Sequence, residues 1–330
     1  MAIPVGLAAL IDLQLDSPVA GGLSTGALLA GFIAFDAPAR TRFVWQLLAA
    51  PVIGAAGALG ALTATPGSLA AVTMTVFACL AGLTVAISPR LAIAGMMCTL
   101  ALLLAQGVGL RPSDAPAALI IATAGALSQA LLSLVVGLWE GAVEDRPQPV
   151  DGAREATRTV RENLDLSSAS MRHALRWGVG LGIGVAAYHV IDLSPHGYWI
   201  PLTILFVKPG PAETNERIAM RGAGTIAGLV LATALAEAIG RGAIVNATVL
   251  TIAAACSFAL LAIEYALFTT AITVYIVVLA HALGQGAFDA ADERALATVI
   301  GLVIAALGFV VFRDRVSPPH RLLRPDGTSA

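Results

Sequence analysis

The chain has 330 residues, 58% of them hydrophobic and only 12% charged, with a mean hydropathy of +0.85 and a formal net charge of −2. An ordinary soluble domain carries about 25% charged residues, so this composition is that of an integral membrane protein, and it offers no basic excess for binding nucleic acid. No G-x-x-x-x-G-K-[ST] loop is present, which disfavours nucleotide-driven transport by this chain alone.

The opening "MAIPVGLAALIDL" lacks a basic n-region and reads as an apolar helix rather than a cleaved signal peptide, though it is short for a full span. A hydrocarbon core about 30 Å thick needs roughly 20 apolar helical residues. That ruler predicts six segments, near 2–14, 19–35, 43–63, 68–87, 91–109 and 116–138. Cys79 and Cys98 here, and Cys256 further on, sit inside apolar runs without a C-x-x-C pair, so neither a disulfide framework nor a metal site is expected.

The stretch "EGAVEDRPQPVDGAREATRTVRENLDLSSASMRHALR" follows, Pro-containing at first and then helix-favouring, with arginines among acids. It reads as a solvated connector. Six further apolar segments are predicted near 174–192, 197–208, 217–238, 243–263, 265–284 and 295–312. The chain thus divides into a first membrane repeat over 1–139, a partly helical linker over 140–172, a second repeat over 173–312 and a tail over 313–330.

Charge tests the count. With the N-terminus cytoplasmic, sixteen of the nineteen basic residues fall on the cytoplasmic side, and only Arg111, Arg241 and Arg294 fall outside. That bias predicts twelve crossings, with both termini and the linker in the cytoplasm; one short pair could be re-entrant. "STGALLAGFIAFDAPARTRFVWQLLAAPVIGAAG" also runs like "YWIPLTILFVKPGPAETNERIAMRGAGTIAGLV": a short apolar segment, a Pro-containing turn, basic residues, then a long small-residue helix. The expected fold is therefore an all-α polytopic membrane protein of about twelve transmembrane helices. They form two parallel six-helix repeats related by an axis along the membrane normal.

The chemistry concentrates in "HGYWIPLTILFVKPGPAETNERIAMRGAGTIAG", residues 196–228. Residues 197–208 rise only about 18 Å as a helix, too little to cross, and matched short or broken segments point to a transporter's binding site. "KPGPAETNER" predicts a turn, with a helix starting near Arg217 and capped by Thr214 or Asn215. Arg217 and Arg221, four residues apart, then share a face with Thr225 and Gly228. Together with Lys208 they could attract a carboxylate entering from the cytoplasm, or they could anchor the segment at the headgroups; spacing alone leaves both open. Gly224 and Gly228 form a G-x-x-x-G read as helix packing.

These residues resemble the signature of the fusaric-acid-resistance proteins, the aromatic acid exporter superfamily that also includes plant aluminium-activated malate transporters. Tyr198, Trp199, Leu202, Thr203, Arg217, Arg221, Gly224, Thr225 and Gly228 stand at the matching places, "RHALR" resembles the entry to the family's second membrane block, and "EYALFTTAITV" its later Tyr-and-Thr helix. The resemblance covers about 170–275, with a degenerate copy over 20–60. It implies an inner-membrane exporter of aromatic or related organic anions in which Arg217 and Arg221 help line the anion path. Lys208, Trp199, Thr203, Thr225 and, from the first half, Arg42 complete the expected substrate-binding set. Two departures stand out: the first half has Arg42 and Gln46 where a second arginine pair is expected, and the linker and tail are too short for sizeable cytosolic domains.

Ionisable residues within spans are functional candidates by default. Glu264, His189 and His281 are the candidates for proton coupling, although each also has an interfacial reading. No Ser-His-Asp, H-E-x-x-H or paired-carboxylate arrangement argues for an enzyme, and no cofactor or metal is expected. The expected partners are a small organic anion and the lipid bilayer. A homodimer, a passive anion channel in place of a coupled transporter, and a non-transporting membrane scaffold stay open.

Overall fold

The computed structural model of the chain describes residues 1–15, 17, 19–139, 153–165, 168–191, 198–205, 211–240, 242–261, 263–284 and 287–311. Among them are thirteen α-helices and no strand. The first half contains α1 (Ala2–Asp12), α2 (Gly22–Phe32), α3 (Ala39–Thr63), α4 (Gly67–Leu83), α5 (Pro89–Gly107) and α6 (Ala115–Trp139). The second contains α8 (Ala169–Ile191), α9 (Trp199–Leu205), α10 (Pro211–Ile239), α11 (Ala243–Leu260), α12 (Tyr265–Ala282) and α13 (Ala287–Val311). Between them lies α7 (Ala153–Glu162), on which Arg158 and Glu162 pair at 3.8 Å across one turn, both well exposed. Such a pair in water contributes little, as expected of a solvated connector.

Each of the twelve predicted apolar segments overlaps one of the other helices. Among the described residues, eight helical stretches are long and apolar enough to cross a membrane, whereas α1, α2 and especially α9 are too short to do so alone. Local chemistry sets the ends. Ser88 accepts from the amide of Leu91 with Pro89 in the first turn, so α5 starts there. Glu264 caps α12 by accepting from the amide of Ala266 at 3.0 Å. The helix carrying Arg217 and Arg221 begins at Pro211, six residues earlier than expected, because a proline is preorganised for the first helical position and a Pro-Gly-Pro run need not be turn throughout.

Packing depends on small residues. A Cβ on Gly224 would strike the Ala266 carbonyl, and one on Gly228 would come within 2.8 Å of the Thr270 carbonyl, so α10 and α12 run nearly backbone to backbone. Thr270 Oγ1 donates across this seam to the Gly224 carbonyl at 3.1 Å. Gly125 of α6 faces the Leu23 carbonyl of α2, and Gly301 of α13 faces the Ile200 carbonyl of α9. Gly6 of α1 abuts Thr251 of α11, and Gly182 of α8 abuts Thr75 of α4. One interval along the chain separates Gly6 from Gly182 and Thr75 from Thr251. Both threonines turn their hydroxyls back to a carbonyl four residues earlier, Ala71 and Ala247.

One core runs through both halves, from Leu29, Ile33 and Ile53 to Trp199, Phe268 and Tyr275. The outward faces remain apolar, with Val72, Leu80, Leu131, Val230, Ile252 and Leu307 all exposed. Helices apolar on every side suit a lipid surround.

Candidate functional site

α2, α5 and α12 enclose a cavity of about 770 Å³ within the core. Its walls are mostly apolar: Leu28, Leu29 and Phe32 from α2, Met97 and Leu104 from α5, and Phe268, Ile272, Ile276 and Leu279 along one face of α12. The rim consists of residues from the α1–α2, α5–α6 and α12–α13 turns, among them Leu15, Val108 and Leu283, all exposed. Consecutive helices alternate in direction, so these turns share one end of the bundle, and the first turns of α3 and α10 share the other. The cavity therefore opens away from the starts of α3 and α10.

Arg221 lies at the cavity's inner end and is 3% exposed. Its Nη2 donates to the Leu202 carbonyl at 3.2 Å and its Nη1 to the Tyr265 hydroxyl at 3.5 Å. Leu202 is among the last four residues of α9, whose carbonyls have no partner within the helix, so the guanidinium also finishes that broken helix. Trp177 of α8 does the same at Leu205, donating its indole N–H at 2.9 Å. Beside Arg221 the wall is aromatic: Phe32 meets Phe268 edge to face at 6.0 Å, and Phe268 lies 5.8 Å from Tyr265.

Further along the cavity is Asp12, the last residue of α1, fully buried. Its two oxygens accept from the amides of Leu23 at 3.3 Å and Ser24 at 2.8 Å, the unpaired donors at the start of α2. A carboxylate there is favoured by the helix dipole. Tyr275, from the middle of α12, also lines the cavity.

The other residues singled out in the sequence do not all gather here. Lys208 and the side chain of Arg217 lie outside the described residues. Trp199 is fully buried against Tyr198 but does not line the cavity, and Thr203, also buried, donates to the Trp199 carbonyl and packs against Gly301. Thr225 is buried on α10. Arg42 belongs to a separate polar group between α3 and α6, where its Nε donates to Ser133, which in turn donates to Gln46.

Glu264 is the cap of α12, and His189 is exposed and stacked on Tyr188 at 4.3 Å. His281 is buried at the far end of α12, and among the described residues neither ring nitrogen is hydrogen-bonded. Among the described residues no group of three or more metal-binding side chains comes together. Sequence reasoning missed Asp12 and Tyr275. The available signal for Asp12 was an acid closing an apolar run in "LAALIDL"; Tyr275 looked like ordinary core.

Comparison with known proteins places this arrangement among membrane proteins. Residues 181–308 match the family described as fusaric acid resistance protein-like. Inner membrane protein YccS of Escherichia coli K12 is 34% identical over 141 residues, 42% of this chain and 19% of YccS. The uncharacterised protein slr1298 of Synechocystis is 31% identical over 155 residues, 46% of this chain and 20% of its own length. YhfK of E. coli K12, also uncharacterised, is 31% identical over 153 residues, 46% of this chain and 21% of YhfK. The chain thus spans about a fifth of the length of the curated relatives it matches. No solved structure matches it.

Proposed function

We propose, from a membrane chain whose residues 181–308 match the fusaric acid resistance protein-like family, that this protein exports aromatic or related organic anions across the inner membrane. The observation that carries the reading is Arg221. A guanidinium held at the inner end of an apolar, aromatic-walled cavity of about 770 Å³ can pair with a carboxylate through two parallel hydrogen bonds, while the walls receive the ring. Cavities of this size and character bind small molecules, and a few polar groups in them fix orientation.

The architecture we infer is twelve helices in two parallel repeats, α1–α6 and α8–α13. The packing supports it, because exchanging the halves maps contacts onto contacts: α1 on α11 becomes α8 on α4, α2 on α6 becomes α9 on α13, and α3 on α5 becomes α10 on α12. The arginine bias puts both termini in the cytoplasm. In that orientation the cavity faces outward with Arg221 at its floor. Lys208 and Arg217 then belong to the cytoplasmic approach, and an alternating exporter would expose Arg221 to that side next.

Export of an anion from a negative interior is favoured by about 2.3 kcal/mol per charge per 100 mV, so the membrane potential alone could drive it. Proton coupling through Glu264, His189 or His281 is the alternative source. Purified protein in liposomes loaded with a benzoate series decides the matter. The reading requires saturable efflux that is lost in Arg221→Gln; efflux unaffected by that substitution would sink it.

A further inference from the structure

Away from the cavity, the polar group on the seam between α3 and α6 is incomplete. Arg42 Nε donates to Ser133 Oγ at 3.1 Å, and Ser133 donates to Gln46 Oε1 at 2.7 Å. Gln46, Ser133 and Gln129 are all fully buried. Among the described residues Gln46 Nε2 has no hydrogen-bond partner, and neither Nε2 nor Oε1 of Gln129 has one. Polar atoms buried in a core are nearly always satisfied, so three unmatched ones in one seam require a cause.

The register brings them together. α3 and α6 run antiparallel: Gly137 faces Arg40, Ser133 meets Arg42 and Gln46, and Thr123 lies against Gly54. Gln46 therefore falls between Ser133 and Gln129, which stand one turn apart on the same face of α6. Two amides on facing helices share one buried level, two turns inside the start of α3.

Their chemistry selects what fits between them. Nε2 of each glutamine needs an acceptor, and Gln129 Oε1 needs a donor. Turning the Gln129 amide over exchanges its two atoms and leaves the same demand. An anion would match the nitrogens and repel the oxygen, whereas a metal cation would match only the oxygen and meet the Arg42 charge one turn away. Water both accepts and donates, and buried waters bridge unsatisfied groups of this kind.

We infer that the α3–α6 seam is a hydration site, with water held between Gln46 and Gln129 at the end of the bundle opposite the cavity mouth. Gln46 lies two turns before Ile53 on α3 and Gln129 two turns after Ala122 on α6, and Ile53 and Ala122 both line the cavity. About 10 Å of helix thus separates this water from the cavity. Ala50 and Ala126, both fully buried, and the contact of Gly54 with Thr123 close that interval. Two turns of close packing are then all that divides hydration at one end from the open cavity at the other. Nothing in this inference depends on the anion reading of Arg221.

Water-edited solid-state NMR on the full chain, labelled with nitrogen-15 and held in lipid bilayers, tests it without any substrate. The side-chain amides of Gln46 and Gln129 should take up magnetisation from water several-fold faster than the backbone amide of Met74, which is fully buried on α4, and at a rate near that of the exposed Gln14 side chain. In Gln129→Met, uptake at Gln46 should fall toward the Met74 rate, because the water loses its second anchor. Wild-type Gln46 and Gln129 both as slow as Met74 would overturn the inference, since the amides would then be dry or paired with one another; this outcome needs no variant, so poor folding of Gln129→Met does not shelter the idea. Uptake at Gln46 unchanged in a folded Gln129→Met would overturn the role of Gln129.

Discussion

Arg221 Nη2 and the carbonyl of Leu202 are joined by a 3.2 Å hydrogen bond, so the cation at the cavity floor also finishes the broken helix α9. On the proposed reading, structure and binding therefore share one side chain. Arg221→Gln should lower ligand affinity about a hundred-fold, typical for removing one partner of a desolvated charge pair, and should also lower the melting temperature. Arg221→Lys keeps the charge but not the planar fork, and should restore less than half of the lost binding energy. Calorimetric titration and thermal melts on the three proteins separate the two effects.

The seam between α8 and α4 has no room for a methyl group at Gly182, where a Cβ would strike Thr75 Oγ1. Gly182→Ala should destabilise by about 1–3 kcal/mol, as overpacking does. Thr75→Ala in the same chain removes the obstructing hydroxyl and should recover most of that loss. A double-mutant cycle by denaturation in detergent reads the coupling, and additive losses would mean the two helices do not pack as described.

Ala280 lines the cavity without being part of the tightly buried core. Ala280→Phe should leave the melting temperature within a few degrees of wild type while weakening the longest acids at least ten-fold and the shortest hardly at all. Affinities across a benzoate and biphenyl carboxylate series check this.

The proposed orientation, argued from the charge bias, can be tested directly. A cysteine placed at Leu15, on the cavity rim, should react with an impermeant maleimide in intact spheroplasts. One at Arg158, on α7, should react only after permeabilisation. The reverse pattern would invert the protein, and with it the outward-facing cavity.

Of the candidates proposed for proton coupling, Glu264 is engaged as a helix cap, His189 is exposed, and His281 is buried without a hydrogen-bond partner among the described residues. If protons drive export, His281→Gln should abolish the response of efflux to an imposed pH gradient. Glu264→Gln, which keeps the capping oxygen, should leave that response intact and cost well under 1 kcal/mol of stability. Flux assays at zero membrane potential provide the comparison.

The helices were legible because hydrophobic runs of membrane length, broken by proline and glycine, leave few alternatives for the backbone. The short α9 was legible as an apolar run cut off by a Pro-Gly-Pro stretch, and the linker helix as a polar, helix-favouring one. The start of α10 was misplaced because the proline of a turn and the proline of a first helical turn look alike in sequence. Arg221 was visible from its spacing with Arg217, but spacing could not show that its guanidinium turns toward α9. Asp12 was hidden because its partners, the amides of Leu23 and Ser24, lie at the start of the next helix. Arg42 reads like a copy of the second-half arginines, yet it is tied to Ser133 in a separate polar group. A degenerate motif keeps its letters longer than its location.

The matched contacts of Gly6 with Thr251 and Gly182 with Thr75 bear on how such a chain can change over generations. Where two identical subunits face one another, each new side chain arrives twice, once on either side of the axis. On the proposed two-repeat architecture the two sides are written separately in one reading frame. A substitution can enter one and spare the other, so a single arginine at the floor of the cavity, with glutamine in the corresponding stretch of the other half, is an asymmetry that inheritance can reach one codon at a time.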